Sequence, residues 1–324
     1  MEPPVAAGAI ATTVVQRDSK PVPQARPRSR PRPEIGILTA IPREFHAVRA
    51  MFDNVAPSQS VPSYHPSRHA VNLYEHGSIG GRSVVMAYSG QGNSASAVSA
   101  TAMLDDFDSI TLLVMLGIAG GVPAPNDPEH HVRLGDVVIS TEAVVEYDFR
   151  KLEVDNEWQR KWREKPPAHL IDQIVNRIEH QVMNGEEPWE PLLTEVLSHI
   201  RAERPVLDEL HDDRQVVDHP TDPSRKDGVP RLHRGRIGSA SILLKHPKIR
   251  DMLRDTYRIQ AIEMEGAGVA EAAYRTNTPY VVIRGIADYC DMHKNDAWHG
   301  YAAAVATAFC RILLDCYFET LPKL

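Results

Sequence analysis

The sequence predicts a layered α/β fold built on a largely parallel or mixed sheet. Short apolar runs typical of buried strands recur along the chain, and segments with helical patterns separate them. With 324 residues, 42% of them hydrophobic, the chain is long enough for one sizeable core. Ligands of such sheets bind at the carboxyl ends of strands, so polar residues that follow a strand are candidates for a site.

The ordered part of the chain is predicted to begin at Glu34, because residues 1–33 have the Pro- and Arg-rich composition of a disordered tail. The patterns then predict, in order, a strand over 35–41, a helix opened by Pro42, a strand over 83–88, a helix from Asn93 or Ser94, strands over 110–116, 135–140, 143–147 and 280–286, and a closing helix over 297–317.

Residues 150–232 differ from the rest of the chain. They are charged, contain helical patterns over 168–182 and 191–204, and continue in a polar stretch over 211–230. Because this region lacks the repeated strands of an independent α/β unit, we interpret it as an insertion into one domain over residues 34–324.

Composition narrows the classes of function. A net charge of −7 argues against non-specific nucleic-acid binding, and no apolar run approaches the length of a membrane span. Three cysteines in a chain of this length form no disulfide framework, which predicts a cytoplasmic protein. The clusters at residues 129–131 and 211–213 lack zinc spacing, so we interpret them as solvent-facing and expect no metal site.

Two segments carry the chemistry. The first, AIEMEGA over residues 261–267, sets Glu263 and Glu265 on either side of a methionine, and the second, VIRGIAD over residues 282–288, ends on Asp288 after an apolar run. A carboxylate can hold two sugar hydroxyls, and a buried acid can protonate a purine leaving group. Taken alone, Glu-Met-Glu is more typical of a helix start, where acids are favoured, but Gly266 and Gly268 beside it indicate a position that needs close approach. Gly117, Glu263 and Asp288 all follow predicted strands, which predicts a shared site.

Six segments in order resemble the nucleoside phosphorylase and methylthioadenosine/adenosylhomocysteine nucleosidase superfamily over about residues 34–318: IGILTAIPREF, SGQGNSASA, VMLGIAGGVP, LGDVVIST, AIEMEGAG and IRGIADYCD. The resemblance implies a three-layer α-β-α sandwich around a mixed, twisted central sheet. It also implies chemistry without cofactor or metal, and assembly into a homo-oligomer.

Within the superfamily the chain resembles the branch found as effector domains of bacterial and fungal immune receptors. The shared segments are VEYDF at 145–149, VDHP at 217–220 and DYCDMHKN at 288–295. Members of that branch cleave the N-glycosidic bond of adenosine nucleotides, ATP included. The resemblance therefore implies a defence role, with a regulatory protein partner as a further expectation.

The resemblance also implies a role for each candidate residue. Asp288 matches the acid that protonates purine N7, and Glu44 matches the base that activates the attacking water. Glu265 matches the residue that accepts hydrogen bonds from ribose O2′ and O3′, while Met264 would pack against the sugar and Glu263 would support the loop. The other substrate-binding candidates are Gly117, Ile118, Ala119, Gly120, Arg43, Leu243, Lys245 and Lys294. An aspartate in water is ionised near neutral pH, so Asp288 must be desolvated to donate a proton.

Several positions bear on whether water or phosphate accepts the sugar and on which nucleoside or nucleotide binds. Phosphorylases of the superfamily typically place an arginine where this chain has Met115, so water is the expected acceptor. Leu243 stands where an adenine-stacking phenylalanine is common. A 5′-triphosphate needs cations, for which Arg43, Lys245 with His246, and Lys294 with His293 are candidates.

The sequence thus predicts a purine nucleosidase that converts ATP to adenine and ribose 5′-triphosphate. A methylthioadenosine/adenosylhomocysteine nucleosidase and a non-catalytic nucleotide-sensing module stay open as alternatives.

Overall fold

A mixed β-sheet forms the centre of the computed structural model, which describes residues 32–56, 59–62, 71–148, 150–152, 158–160, 163–212 and 215–322. The tail predicted over residues 1–33 therefore lies almost wholly outside the described residues.

The strands are β1 (Ile35–Thr39), β2 (Asn54–Val55), β3 (Gln59–Pro62), β4 (Val71–Ile79), β5 (Arg82–Tyr88), β6 (Leu112–Gly121), β7 (Val137–Glu146), β8 (Arg150–Leu152), β9 (Trp158–Arg160), β10 (Arg163–Lys165), β11 (Leu210–Asp212), β12 (Gln215–Val217), β13 (Leu232–Ser239), β14 (Ile259–Glu263) and β15 (Tyr280–Asp288). The helices are α1 (Pro42–Ala50), α2 (Asn93–Asp106), α3 (His169–Met183), α4 (Glu190–Ile200), α5 (Pro247–Tyr257), α6 (Gly266–Thr276) and α7 (His299–Thr320).

The main sheet has eleven strands within the described parts of the chain. Nine follow the order β10-β7-β13-β14-β6-β1-β5-β4-β2, with β3 beside β4 and with β15 between β6 and β7. Strand β1 pairs in parallel with β5 and β6, whereas β4 and β5 are antiparallel, so the predicted mixed sheet is confirmed. Because β15 pairs with both β6 and β7, the strands β7, β13, β14, β6 and β15 close into a ring.

Alternating side chains of the strands bury two faces of the sheet. In β6, Leu112, Val114 and Leu116 pack in a cluster with residues of α1 and α7, while Leu113 and Met115 pack in a second cluster with residues of α2 and α6. This period of two is the reason why a strand covered on both sides is apolar along its whole length. The predicted three-layer α-β-α sandwich is therefore confirmed.

Helix α7 is the central element of the first layer. It is long and apolar enough to cross a membrane by length and composition, but 83% of its most apolar window is buried inside the protein. It contacts β15, β6 and β7 of the sheet and the helices α1, α3 and α4. The two helices of the insertion thus share the core of the domain around them, with Ile174, Ile178 and Val196 in the same apolar cluster as α7.

Two details differ from the prediction. The strands predicted over 135–140 and 143–147 are one strand, β7, whose polar residues Thr141 and Glu142 are partly or fully exposed without ending it. The partner strand β13 accommodates Thr141 and Glu142 through a register shift between Arg234 and Arg236. The strand predicted to end at residue 116 continues through Gly117 to residue 121, so the predicted glycine-rich turn is extended strand.

The prediction that the cluster at residues 129–131 faces solvent is partly wrong. His131 is buried, because its Nδ1 accepts the N–H of Ala124 at 3.1 Å and its Nε2 lies 2.9 Å from Nδ1 of His219 in the insertion. His211, in the other cluster, stacks on the ring of His293 with 3.6 Å between centroids. Both histidines therefore connect the insertion to the rest of the domain.

Candidate active site

A buried arginine lies at the centre of three buried carboxylates. Arg284 is in the middle of β15, and its guanidinium contacts Glu263, Oε2 of Glu265 at 3.2 Å and Oε1 of Glu44 at 3.9 Å. Each of these carboxylates is at most 5% exposed. A guanidinium offers several donors in a fixed plane, so one arginine can hold carboxylates from three separate elements.

Glu44 is fixed by backbone N–H groups from β6 and from the turn between β1 and α1. Its Oε2 accepts hydrogen bonds from Ala40 at 2.8 Å and Ile41 at 3.0 Å, and its Oε1 accepts one from Ile118 at 2.8 Å. The segment folds this way because a proline opens α1 and leaves Glu44 in the first turn, facing the end of β1. Burial raises the pKa of Glu44, and Arg284 and the backbone donors offset only part of that rise. A raised pKa makes this carboxylate a better base.

The two glutamates of the AIEMEGA segment lie at the junction of β14 and α6. Glu263 ends β14, and its side chain accepts hydrogen bonds from the N–H groups of Glu265 at 3.0 Å and Gly266 at 2.9 Å. This places a negative charge at the start of α6, where helix N–H groups lack partners. Glu265 turns back across the site, and its Oε1 accepts the N–H of Gly92 at 3.0 Å. Met264 is half-buried between the two acids.

The cluster carries more negative than positive charge. Burial raises the pKa of Glu265 to about 7; Arg284 opposes this rise, and the neighbouring Glu263 and Glu44 reinforce it. Burial alone would lower the pKa of Arg284, but the three carboxylates outweigh it and the pKa is raised. The cluster is therefore suited to stabilise a cation that develops on a bound sugar.

Asp288 lies at the other end of the site, as the last residue of β15. Its Oδ1 accepts the N–H of Cys290 at 2.8 Å, which is the side-chain-to-backbone bond that an aspartate typically makes two residues on. Its Oδ2 lies 2.8 Å from Nζ of Lys294. The strand end and the burial agree with the prediction, whereas the cation partner was not predicted.

Strand β6 relates the two ends of the site. Gly117 pairs with Arg284 and Gly120 pairs with Asp288. A Cβ atom at Gly117 would lie 2.2 Å from Oε1 of Glu44, and one at Gly120 would lie 2.9 Å from Oδ1 of Asp288, so only glycine fits at either position. Three residues of strand span about 10 Å, which is the separation along β6 of the two glycines that face these carboxylates.

A cavity of about 490 Å³ opens at the Asp288 end. Its wall includes Asp288, Lys294, His293, His211 and Leu207, and therefore combines the end of β15 with the insertion. Larger cavities of about 620 and 730 Å³ lie elsewhere, around His130, Arg234 and Gln260, and contain none of the predicted site residues. The smaller cavity is the relevant one, because it alone of these three meets a candidate catalytic group.

The remaining predicted residues fall into two groups. Arg43 is exposed in α1 and donates to the backbone oxygen of Asp296 at 3.3 Å, so it joins α1 to the segment that carries Lys294. Ile118 contributes its backbone N–H to Glu44, but the side chain of Ala119 packs in the apolar core.

Leu243 and Lys245 lie on the loop between β13 and α5. Leu243 is 59% exposed and Lys245 is also exposed. Ser241 anchors this loop, since its N–H donates to Asp148 and its Oγ accepts the N–H of Asn93. No hydrogen bond or ion pair between described residues joins Leu243 or Lys245 to the carboxylates.

Arg284 is the functional residue that the sequence reasoning missed. The signal was present, because a lone cation in the apolar run VVIRGIA is costly unless anions surround it. All three of the anions that surround it, Glu44, Glu263 and Glu265, were already assigned to the site.

A mixed sheet between helical layers, with a carboxylate cluster against one strand and an acid at the end of the next, defines the nucleoside phosphorylase class of α/β proteins. A sequence model described as the phosphorylase superfamily matches residues 34–317, and the chain belongs to this superfamily.

Relatives differ in how much of their length this chain matches. It is 32% identical over 304 residues to a nucleotide-binding leucine-rich repeat (NLR)-like protein of Hyaloscypha variabilis, covering 86% of this chain and 29% of that protein. It is 26% identical to a 5′-methylthioadenosine/S-adenosylhomocysteine nucleosidase of Mycobacterium tuberculosis, covering 86% and 95%. It is 24% identical to the ATP nucleosidase Cap17 of Escherichia coli, covering 85% and 49%.

Solved structures of nucleosidases share this fold. A 5′-methylthioadenosine/S-adenosylhomocysteine nucleosidase of Helicobacter pylori superposes with a TM-score of 0.61 at 16% identity, covering 87% of this chain and 98% of that one.

Proposed function

We propose that this chain is a purine nucleosidase that hydrolyses adenosine nucleotides, ATP first among them, to adenine and ribose 5′-triphosphate. The observation that carries the proposal is the placement of Glu44 and Asp288 against one stretch of β6, with the sugar-binding candidate Glu265 held beside Glu44 by Arg284. A base, a sugar-binding carboxylate and an acid are the groups that hydrolysis of a nucleoside requires.

The reaction assigns one step to each group. The C1′–N9 bond breaks as Asp288 gives its proton to N7, so adenine leaves neutral. The water oxygen bonds to C1′ as Glu44 takes one of the water protons, and each proton transfer contributes about 10²–10⁴-fold. The ribose is cationic between these events, and the excess negative charge around Glu265 stabilises it.

Two features favour water over phosphate as the acceptor. Met115, at the position where phosphorylases place an arginine, is fully buried in the apolar core. Arg284 is engaged by three carboxylates, whose excess negative charge would repel a phosphate dianion.

The choice of ATP rests on cations and on relatives. Lys294 lines the cavity at Asp288, and Arg43 contacts the same segment of chain, which suits a polyphosphate better than a thioether. Cap17 of Escherichia coli is named an ATP nucleosidase. A role in defence stays an implication of the resemblance to effector domains of immune receptors. A cytoplasmic homo-oligomer under the control of a protein partner fits this proposal.

A second candidate is a methylthioadenosine/adenosylhomocysteine nucleosidase. The match to 95% of the length of the mycobacterial nucleosidase favours it. A non-catalytic sensing module is less well supported, because nucleotide binding alone requires neither the base Glu44 nor the acid Asp288.

The test is product analysis. Purified protein is incubated with ATP, AMP, adenosine or methylthioadenosine, with and without phosphate, and adenine is measured by chromatography. We expect adenine from ATP at a rate that phosphate does not raise. Asp288→Asn should lower this rate by about 10²–10⁴-fold while the protein stays folded, as a cooperative unfolding transition would show. Asp255→Asn, at a side chain 68% exposed on α5, is the matched control.

Three outcomes would contradict parts of the proposal. Wild-type rates in Asp288→Asn would remove Asp288 as the acid. Formation of a ribose 1-phosphate would show phosphorolysis. Turnover of methylthioadenosine with none of ATP would replace the substrate by that of the second candidate.

A further inference from the structure

The acid of the proposed reaction is paired with a cation. Nζ of Lys294 lies 2.8 Å from Oδ2 of Asp288, and this ammonium is about one-fifth exposed. Both carboxylate oxygens of Asp288 are then engaged, because Oδ1 accepts the N–H of Cys290 and Oδ2 contacts the ammonium, so neither oxygen faces a purine N7. The ion pair must therefore open before the glycosidic bond can break.

The two partners differ in how firmly they are held. Oδ1 of Asp288 accepts the backbone N–H of Cys290 at 2.8 Å, so the carboxylate stays in place when its other oxygen loses a partner. Lys294 is a long, flexible side chain with one face in solvent. The lysine is thus the partner that can move.

An anion bound in the cavity beside Asp288 would attract Lys294 away from the carboxylate. Lys294, His293 and His211 stand on its wall together with the acidic Glu209 and Asp291. In a 5′-nucleotide with its base in the common anti orientation, N7 and the phosphate chain lie on the same side of the glycosidic bond. A side chain that reaches the group touching N7 can therefore also reach the outer phosphates.

We propose that Lys294 is a specificity-determining residue that exchanges partners, binding Asp288 in the empty site and the substrate phosphates in the occupied site. This inference rests on the proposed function. When the ammonium moves to the phosphates, Asp288 takes one proton from solvent and passes it to N7, while the lysine keeps its charge throughout. A nucleoside without phosphates leaves the ion pair closed, so discrimination appears in kcat as well as in KM.

The test compares Lys294→Met with the wild type on ATP and on adenosine, with kcat and KM measured for each. We expect kcat/KM for ATP to fall by about tenfold or more, since a charge-assisted hydrogen bond is lost. We expect kcat for adenosine to rise, because Asp288 no longer has a competing cation. Lys294→Arg keeps the charge and should retain the preference for ATP.

Lys248→Met, at an exposed lysine of α5, is the matched control and should change neither substrate. Thermal unfolding verifies that each variant is folded. An equal fall for ATP and adenosine in Lys294→Met would show a structural role and overturn the exchange, as would an unchanged kcat ratio. A wild type that releases adenine from neither substrate would refute the proposed function itself, which is a distinct result.

Discussion

The two ends of the candidate site are built differently. Around Arg284, three carboxylates from separate elements are buried, and Glu44 accepts three backbone N–H groups while Glu263 accepts two. Around Asp288, one backbone N–H fixes the carboxylate, and the other partner is a lysine in contact with solvent. The first end is preorganised to bind a sugar, and the second can adjust to what is attached to it. Selection among nucleosides should therefore reside mainly at the second end.

The largest expected effect comes from breaking the preorganised end. Arg284→Met leaves three buried carboxylates without a cation, so the free energy of unfolding should fall by about 3–5 kcal/mol and adenine release should be lost. Urea unfolding measures the first quantity. Lys294→Met should cost less than Arg284→Met, because one carboxylate rather than three loses its cation and Asp288 keeps the N–H of Cys290. Similar losses for both variants would contradict the distinction between the two ends.

The next effect concerns pH and tests the carboxylate cluster around Arg284. Glu265 must be ionised to accept hydrogen bonds from the sugar, and burial raises its pKa to about 7. The sign follows directly: kcat/KM should rise with pH up to about 7 and fall by about tenfold per unit below it, as an apparent pKa of the coupled carboxylates. A profile that stays flat down to the ordinary range of a glutamate, near pH 4.5, would show that the cluster is not perturbed in this way.

The smallest effect comes from the support of the adjustable end by the insertion. The hydroxyl of Tyr289 donates to Oδ1 of Asp208 at 2.7 Å and accepts the N–H of Leu134 at 3.1 Å. Tyr289→Phe should cost about 1–2 kcal/mol of stability and lower adenine release several-fold, because it frees the segment after Asp288.

Tyr280→Phe, at the opposite end of β15, is the matched control for Tyr289→Phe. Its hydroxyl donates to the carbonyl of Lys165, far along the strand from Asp288. A similar loss of stability with unchanged activity is expected. Equal activity of both variants would show that the insertion does not support the acid.

The sequence predicts the sheet and most of the carboxylates, because each depends on local pattern. Apolar runs identified β1, β5 and β15, and Glu263 and Asp288 do end their strands. Gly117, by contrast, was expected at a strand end and lies inside β6, because glycines that admit a carboxylate look like a turn in one dimension.

Contacts between distant segments could not be predicted in this way. The pairing of Lys294 with Asp288 depends on how the chain turns after β15, which no local pattern predicts. The burial of His131 depends on His219, 88 residues away in the insertion. A rule that buried cations require anions would nonetheless have located Arg284 from the sequence.

The two glycines of β6 have a consequence for how this enzyme class can change. A side chain at Gly117 would collide with Glu44, and one at Gly120 would collide with Cys290 and Asp288, so β6 tolerates almost no variation at these two positions. A change of substrate must then come through residues around the cavity, while this stretch of strand stays the same.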